Sequence, residues 1–355
     1  MNARPINVAI VGVGRAGWGD HRNSFLKRPD KFRIVAACDI IEERTQVIQE
    51  ETGCRIYSCI EDLLKDEEVE LVDIATRSRD HYRHARLALE AGKDVVVEKP
   101  MSMEYEEAKA LYEISNKPGM PRLFARHNRR FELVFNAFVD AINSGILGNV
   151  YEAGTACCSF EFRDDWQTLE EFGGGLLRNW GPHLVDHCLH MLGAPVKDIY
   201  SDLKLVTAGG DAEDDIYLRL TGENNRTVTL TLTGSRALGA YRSFYAHGDR
   251  GSMTSENFKI KMRYIDPDQT IAPVVADPGP PPMSFGKTGT FATETPIRWI
   301  NKEWEVSGED LTIFWDYVYD SYRCGKPYPI KDEEALEVIR VLAHVKNNTP
   351  VTRMK

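Results

Sequence analysis

The chain has 355 residues, of which 42% are hydrophobic and 28% charged, and its formal net charge is −10. A chain of this length exceeds the size at which one hydrophobic core keeps growing, so two domains are expected. The negative charge argues against a nucleic-acid partner, and the absence of an apolar run near ~20 residues argues against a membrane span.

The first 125 residues alternate between short apolar runs and helix-like stretches. Runs rich in β-branched residues are typical of parallel strands that are buried on both faces. The predicted strands are Val8–Val11, Phe32–Cys38, Leu71–Thr76, Val95–Glu98 and Arg122–Phe124, and the predicted helices are 42–52, 60–66, 80–91 and 104–116. This alternation predicts an α/β domain with a parallel sheet over residues 1–125.

The pattern changes after about residue 150. Residues 215–220 and 226–233 alternate apolar with polar side chains on either side of a turn-forming TGENN segment, which predicts an antiparallel hairpin. The proline-rich residues 273–282 predict a loop, and two amphipathic helices are expected, one after Ser307 and one over 332–346. Residues 126–355 are therefore predicted to form an α+β domain.

A glycine-rich turn follows the first predicted strand. Gly12, Gly14 and Gly17 have the G-x-G-x-x-G spacing of a dinucleotide-binding turn, in which glycines allow a tight bend and close approach of phosphate. Asp39 ends the second strand, where a carboxylate holds a ribose hydroxyl. Because Asp39 would repel a 2′-phosphate and the following Ile40–Glu43 contains no arginine, NAD is favoured over NADP.

Motifs along the whole chain resemble the Gfo/Idh/MocA oxidoreductases, which include glucose-fructose oxidoreductase and inositol dehydrogenase. These motifs are GVGRAG, ACD, HARLALEAGKDVVVEKP, NRRF, SGILGNV, GGGLLRNWGPHLVDHCLHMLG and GDRGSM. The resemblance implies a Rossmann domain, a second domain with a large, mostly antiparallel open sheet, NAD(P), and a carbohydrate-like substrate. It also implies a homodimer or homotetramer assembled through that sheet.

The resemblance also assigns residues to a cofactor site. The residues expected to bind the dinucleotide are Gly12, Gly14, Arg15, Ala16, Gly17, Asp39, Thr76, Arg77, His81, Glu98 and Lys99. The chain departs from the family at ATRSRDHYRHA, where Arg77 and Arg79 replace a usual Thr-Pro or Thr-Asn stretch. We expect these arginines to alter contacts near the cofactor.

Three residues are expected to be catalytic: Lys99, His183 and Asn179. Of these, Lys99 and His183 are expected to handle the proton of the substrate hydroxyl. Lys99 follows a parallel strand, where ligands bind in such sheets. Pro182 suits the first position of a helix, which places His183 near the positive dipole end and favours a neutral ring. His183 is therefore the first candidate for the base, and Lys99 is the alternative. The competing non-catalytic interpretations are a structural histidine and a surface lysine.

Asn179 stands where many relatives carry an aspartate four residues before the histidine. An asparagine accepts a hydrogen bond but brings no charge. Asp186, three residues after His183, is a candidate for supplying that charge. We therefore expect activity that is retained but altered.

Substrate contacts are expected from three places in the chain. Arg126 and Asn128 begin the second domain, Arg163 and Trp166 precede the glycine segment, and Asp186 lies near His183. An aromatic ring with amide and guanidinium donors suits a sugar, polyol or sugar acid, although each residue could equally belong to the core, the rim or an interface.

The segment 183–190 also raises the question of a metal site, because its histidines fall on one helix face. His183, Asp186, His187 and His190 are predicted to form a polar face opposite an apolar one made by Leu184, Val185, Cys188, Leu189 and Leu192. Such an amphipathic helix needs no metal, and nicotinamide chemistry does not require one. No metal is expected.

The leading functional hypothesis is an NAD-dependent dehydrogenase that acts on a secondary hydroxyl. Two alternatives stay open: a glycoside-cleaving enzyme that uses tightly bound NAD by transient oxidation, and a catalytically impaired NAD-binding regulatory protein. The chain starts without a secretory signal layout, and its seven cysteines contain no CxxC pair, so a cytoplasmic location is expected.

Overall fold

The computed structural model describes residues 4–239, 241–276, 278–279, 296–308 and 310–354, which contain two β-sheets. The first is a six-stranded parallel sheet with the order β3-β2-β1-β4-β5-β6. Its strands are β1 (Ile6–Val11), β2 (Phe32–Cys38), β3 (Arg55–Tyr57), β4 (Leu71–Ile74), β5 (Asp94–Val97) and β6 (Leu123–Ala125).

All five strands predicted for this sheet are present, because each consists mainly of buried β-branched or apolar residues. The additional strand β3 has only three residues, and none of them is buried. The sequence therefore has no apolar run from which this strand could be predicted. The helices of this region are α1 (Asn23–Leu26), α2 (Glu42–Thr52), α3 (Ile60–Leu63), α4 (His81–Glu90) and α5 (Tyr105–Ser115).

The register of the parallel strands aligns their carboxyl ends at one edge of the sheet. Val11 pairs with Cys38 on one side and with Ile74 on the other, and Val97 pairs with Ile74 and Ala125. The residues that follow these strands therefore emerge side by side, which is where open α/β sheets bind ligands.

The second sheet has nine strands in the order β14-β13-β12-β11-β7-β10-β9-β8-β15. Its neighbours are antiparallel except for the parallel pairs β7–β10 and β8–β15. The strands are β7 (Val150–Cys158), β8 (Val196–Leu205), β9 (Asp215–Gly222), β10 (Thr227–Thr233), β11 (Arg242–Gly248), β12 (Gly251–Glu256), β13 (Lys259–Ile265), β14 (Trp299–Glu305) and β15 (Val351–Arg353). The predicted fold class, a Rossmann domain plus a domain with a mostly antiparallel sheet, is confirmed.

The predicted hairpin is present as β9 and β10, which pair antiparallel. Ile216, Leu218 and Leu220 are buried and alternate with more exposed neighbours, so one face of the sheet packs against the core. Helix α8 (Gly181–Leu192) covers that face; the other helices of this region are α6 (Leu133–Asn143), α7 (Leu176–Asn179), α9 (Ile313–Cys324) and α10 (Asp332–Asn348). Residues 277 and 280–282 of the predicted proline-rich loop lie outside the described residues.

Helix α9 follows strand β14 of the second sheet in the sequence but packs against the first sheet. The ring of Trp315 lies 4.4 Å from that of Phe25 and 5.9 Å from that of Phe32. Arg28 donates to both carboxylate oxygens of Asp316, which adds an ion pair to the apolar contact. The late part of the chain thus buttresses the helix that follows the glycine-rich turn. None of the described helices combines the length and apolar character of a membrane span.

Candidate active site

The glycine-rich turn leaves no room for side chains at two of its three glycines. A Cβ on Gly12, which has φ +96°, would lie 2.6 Å from the carbonyl oxygen of Ala75, and a Cβ on Gly17 would lie 2.0 Å from the carbonyl oxygen of Gly12. Gly14 is unobstructed apart from Arg44, whose Nη1 would be 3.7 Å from an added Cβ. The turn is therefore a tight backbone cradle of the kind that admits a pyrophosphate.

Asp39 lies at the end of β2 and is oriented by backbone donors. Its carboxylate accepts hydrogen bonds from the N–H of Val13 at 2.8 Å and the N–H of Ile41 at 2.9 Å. The prediction that no arginine lies nearby is wrong, because Arg44 in the first turn of α2 comes within 3.7 Å of Asp39 with a half-exposed side chain. The first turn of α2 brings this cation next to Asp39, which inspection of Ile40–Glu43 alone did not show.

The loop after β4 contacts the segment just before Gly173 rather than simply facing the cofactor cradle. The guanidinium carbons of Arg77 and Arg79 lie 4.5 and 4.6 Å from the ring centroid of Phe172, close enough for cation–π contact. Thr76 contacts His84 through its hydroxyl. His81 is buried, and its ring nitrogens contact the carbonyl oxygens of Pro100 and Thr76, so His81 links the ends of β4 and β5.

Glu98 and Lys99 follow β5 and have different surroundings. Glu98 is buried and accepts hydrogen bonds from Arg126 and from the main-chain N–H of Lys99, and the cationic neighbours hold the pKa of its carboxyl well below the usual range despite burial. The Lys99 amine instead donates to the main-chain oxygen of Asn179 at 2.8 Å, with its side-chain oxygen at 3.4 Å. Burial lowers the pKa of Lys99 to about 8, with Arg126 acting in the same direction against Glu98.

Asn179 is held in place by a glycine corner and a buried acid. Gly175 has φ +105°, and a Cβ there would lie 2.3 Å from a carboxylate oxygen of Glu213. The same oxygen accepts the N–H of Leu177, while the second oxygen of Glu213 binds Lys346 of α10. The glycine segment therefore allows the chain to turn tightly around this ion pair and present Asn179 to Lys99.

His183 lies in the first turn of α8, directly after Pro182, as predicted. Its side chain is buried, and its Nδ1 has no hydrogen-bond partner among the residues that the structure describes. Burial lowers the pKa of His183 well below its ordinary value, and the nearby Lys99 adds to this effect. The ring is consequently neutral near pH 7.

The polar face of α8 is buried and not solvated as an ordinary amphipathic helix would be. Asp186 is turned toward Arg130 and forms an ion pair with it. Its carboxylate, which was the candidate for supplying a negative charge to His183, is therefore directed away from that ring. His187 stacks on Phe135 with ring centroids 3.9 Å apart and contacts the carbonyl oxygen of Arg129. The physical reason is tertiary: α6 and the turn at 128–131 pack over this face. Within the described ranges, no group of three or more His, Cys, Asp or Glu side chains is placed to hold a metal.

The five predicted substrate contacts separate into different environments. Arg126 is buried between Glu98 and Asp20, so its guanidinium is committed to ion pairs, as is Asp186 through Arg130. Asn128 is buried, and its side-chain oxygen has no partner in the described part of the chain.

Of the two predicted contacts on the segment before the glycines, only Arg163 reaches a cavity of about 380 Å³ beside Asn179. Trp166 is absent from the described residues that line it.

The cavity contains functional side chains that motif matching did not select. Every second residue from 159 to 167 lines the cavity, namely Ser159, Glu161, Arg163, Asp165 and Gln167, the last of which lies in a short 3-10 helix. Gln167 also contacts the amide of Asn179, at 3.4 and 3.5 Å. In the sequence, polar residues alternate with Phe160 and Phe162, and this alternation could have identified the polar positions as one face of the segment. Arg15 from the glycine-rich turn lines the same cavity, which places the cavity beside the dinucleotide cradle.

Comparisons with known proteins agree with this geometry. Residues 6–124 match the model of an oxidoreductase family with an NAD-binding Rossmann fold, and residues 135–254 match the GFO/IDH/MocA C-terminal domain. The chain is 28% identical to scyllo-inositol 2-dehydrogenase (NADP(+)) of Bacillus subtilis, covering 95% of this chain and 92% of that protein. It is 29% identical to D-glucoside 3-dehydrogenase of Escherichia coli, covering 55% of this chain and 56% of the relative.

A solved structure shows the same fold at low identity. The WlbA dehydrogenase from Bordetella pertussis, in complex with NADH and UDP-GlcNAcA, superposes with a TM-score of 0.76 at 21% identity, covering 97% of this chain and 96% of that one.

Proposed function

This chain belongs to the GFO/IDH/MocA oxidoreductase family, and we propose that it is a dehydrogenase that transfers a hydride between a nicotinamide dinucleotide and a secondary hydroxyl of a sugar, polyol or sugar acid. The observation that carries this proposal is the contact of the Lys99 amine with Asn179, at the strand edge that holds the glycine cradle and beside a polar cavity of about 380 Å³. A proton-handling group thus lies between a cofactor site and a substrate-sized space.

The residues present fit a dinucleotide. Gly12 and Gly17 are packed so closely that a Cβ at either would collide with neighbouring backbone, and backbone N–H groups orient the Asp39 carboxylate, which supports a role in binding the ribose. Gly14, Arg15 and Ala16 complete the turn, and Thr76 and Arg77 follow the neighbouring strand. The nicotinamide, when bound, supplies the hydride acceptor or donor.

We assign the hydroxyl proton to Lys99 and a neutral hydrogen-bonding role to His183. An effective base has a pKa near the working pH, and the pKa of Lys99 is lowered to about 8, whereas that of His183 is lowered well below its ordinary value. His183 offers an unpartnered nitrogen to orient the substrate hydroxyl. Asn179 accepts from the Lys99 amine without adding a charge, which supports a lysine that can lose its proton.

The cavity suits a small, hydroxyl-rich substrate. It is lined by amide, hydroxyl, guanidinium and carboxylate groups together with the rings of Trp180 and Tyr241. The two curated relatives reported above are by name an inositol and a glucoside dehydrogenase, which supports the same substrate class. Association through the second sheet into a homodimer or homotetramer stays a prediction.

The proposal is tested with purified protein, NAD or NADP, and a panel of inositols, aldoses, glycosides and uronates. We expect reduced cofactor to form with at least one of these classes, in step with the oxidised product. A product without net reduced cofactor would indicate glycoside cleavage by transient oxidation, and cofactor binding without any product would indicate a regulatory protein. Either result contradicts the proposed dehydrogenase.

Arg44 is expected to broaden cofactor use. We propose that Asp39 binds the ribose of NAD and that Arg44 allows NADP to bind as well, because its guanidinium is half exposed beside the carboxylate. Arg44→Ala should weaken NADP binding by about 10-fold to 100-fold, the range of a charge-assisted hydrogen bond, and change NAD binding by less than about threefold. Fluorescence titration of both cofactors measures this difference.

Arg86→Ala is the matched control, since Arg86 pairs with Glu90 on the exposed face of α4. Equal loss of NAD and NADP affinity in Arg44→Ala would show that Arg44 only supports the loop and does not select the cofactor.

A further inference from the structure

His21 is a buried histidine that the proposed reaction does not use. Its side chain is fully buried, and its two ring nitrogens face two carboxylates: Nδ1 lies 2.7 Å from Asp73 and Nε2 lies 3.0 Å from Glu98. A neutral imidazole carries one N–H, so one carboxylate would then face a lone pair. Only an imidazolium donates to both carboxylates at once, so this geometry favours a charged ring.

The local backbone explains how His21 reaches this position. Gly17–Arg22 form a π-helical turn directly after the glycine-rich loop, and such turns widen a helix and redirect side chains. The edge of the Trp315 ring packs against His21, with the centroids 5.4 Å apart. His21 is thus enclosed between the first sheet and α9, and its orientation is determined by packing as well as by charge.

Glu98 connects His21 to the reaction centre. One carboxylate oxygen contacts both His21 and Arg126, and the other accepts the main-chain N–H of Lys99 at 2.9 Å. Both oxygens are therefore engaged away from the Lys99 amine, which donates to Asn179 instead. Without a cation on its far side, Glu98 would act more strongly on that amine and keep it protonated.

We propose that His21 is a positioning residue for Lys99: as an imidazolium, it joins Arg126 in holding Glu98 against the main chain of Lys99 and leaves the amine free for Asn179 and substrate. This role rests on the proposed function of Lys99. The charged groups around His21 are Asp20 on its own turn, Asp73 on β4, Glu98 after β5 and Arg126 after β6. Around Lys99 they are Glu98, Arg126, Arg15 and Arg129, with the neutral His183.

The charges account for the protonation states of both groups. Burial works against protonation of His21, but Asp73 and Glu98 outweigh it and raise its pKa to about 9. His21 therefore carries its charge at neutral pH, where Lys99 begins to lose its proton. Replacing His21 with glutamine removes the charge and keeps a polar side chain of similar length, so Glu98 loses one of its two cationic partners.

The test measures the reactivity of Lys99 directly. Acetic anhydride modifies only the deprotonated amine, and mass spectrometry of the Lys99 peptide between about pH 6 and pH 10 gives its titration curve. In His21→Gln we expect the midpoint to rise by about one pH unit, which makes Lys99 about tenfold less reactive near pH 7, with recovery at high pH. His344→Gln on the exposed side of α10 is the matched control and should leave the curve unchanged.

An unchanged Lys99 curve in folded His21→Gln protein would overturn the proposal. If that variant does not fold, ¹⁵N spectra of histidine-labelled wild-type protein decide: His21 should show two protonated ring nitrogens at neutral pH, and a neutral ring would overturn the role. Acetylation needs no turnover. A failed substrate panel and a failed role for His21 are therefore separate results.

Discussion

Replacement of Lys99 with methionine is expected to lower kcat for hydroxyl oxidation by about 10³-fold, within the range of a lost general base. Methionine retains an unbranched chain of similar length but cannot accept the hydroxyl proton. Because the glycine cradle and Asp39 are untouched, NAD affinity should change by less than about threefold. Steady-state kinetics and a cofactor titration measure the two quantities separately.

The wild-type pH profile follows from the same group. Burial lowers the pKa of Lys99 to about 8, so the amine is protonated and inactive as a base below this pH and neutral above it. For oxidation, kcat/KM should therefore rise about tenfold per pH unit below pH 8 and level off above it. Lys99→Met should lose this rise along with the activity.

Lys109→Met is the control for Lys99→Met. Lys109 lies on the exposed side of α5 near two glutamates, and its loss should leave both kcat and the pH profile unchanged. A Lys99→Met enzyme with near wild-type kcat and an intact rise near pH 8 would contradict the assignment of the proton to Lys99.

Replacement of His183 with glutamine is expected to lower kcat by about 10²-fold without moving the rise near pH 8. Burial and the nearby Lys99 keep the pKa of His183 well below its ordinary value, so its ring does not change charge in this range. Glutamine preserves a hydrogen-bonding group but places it differently at the start of α8. The full pH profile of the variant, together with its thermal unfolding, is the measurement.

The two variants together identify the base. If His183→Gln abolishes the pH-dependent rise and Lys99→Met retains it, the roles are reversed and His183 is the base. His344→Gln serves as the control here as well, because its side chain is exposed and is not among the described residues that line the cavity.

Much of the first domain follows from local pattern. Buried runs such as Phe32–Cys38 identify strands because β-branched apolar residues pack on both faces of a parallel sheet. Gly12 and Gly17 identify the turn because backbone approaches there to distances that exclude a Cβ. The start of α8 could also be predicted from the sequence, since proline is favoured in the first turn of a helix, where its missing N–H would have no partner.

Resemblance selected Lys99, Asn179 and His183, but it did not show how they meet. Lys99 and Asn179 lie 80 positions apart in the chain, and their contact depends on the corner that Gly175 makes around Glu213. Similarly, Arg126 has the guanidinium donor expected of a substrate contact, yet in the folded protein it forms ion pairs with Glu98 and Asp20.

Short-range periodicity and steric limits were enough for the strands, the glycine turn and the helix with Pro182 in its first turn, because these depend on neighbours within a few residues. Burial of the polar face of α8, the approach of Arg44 to Asp39 and the enclosure of His21 depend on segments that are distant in the chain. A side chain's charge partner and exposure, and hence its pKa, are properties of packing between such segments. The choice between Lys99 and His183 as base therefore required the folded molecule.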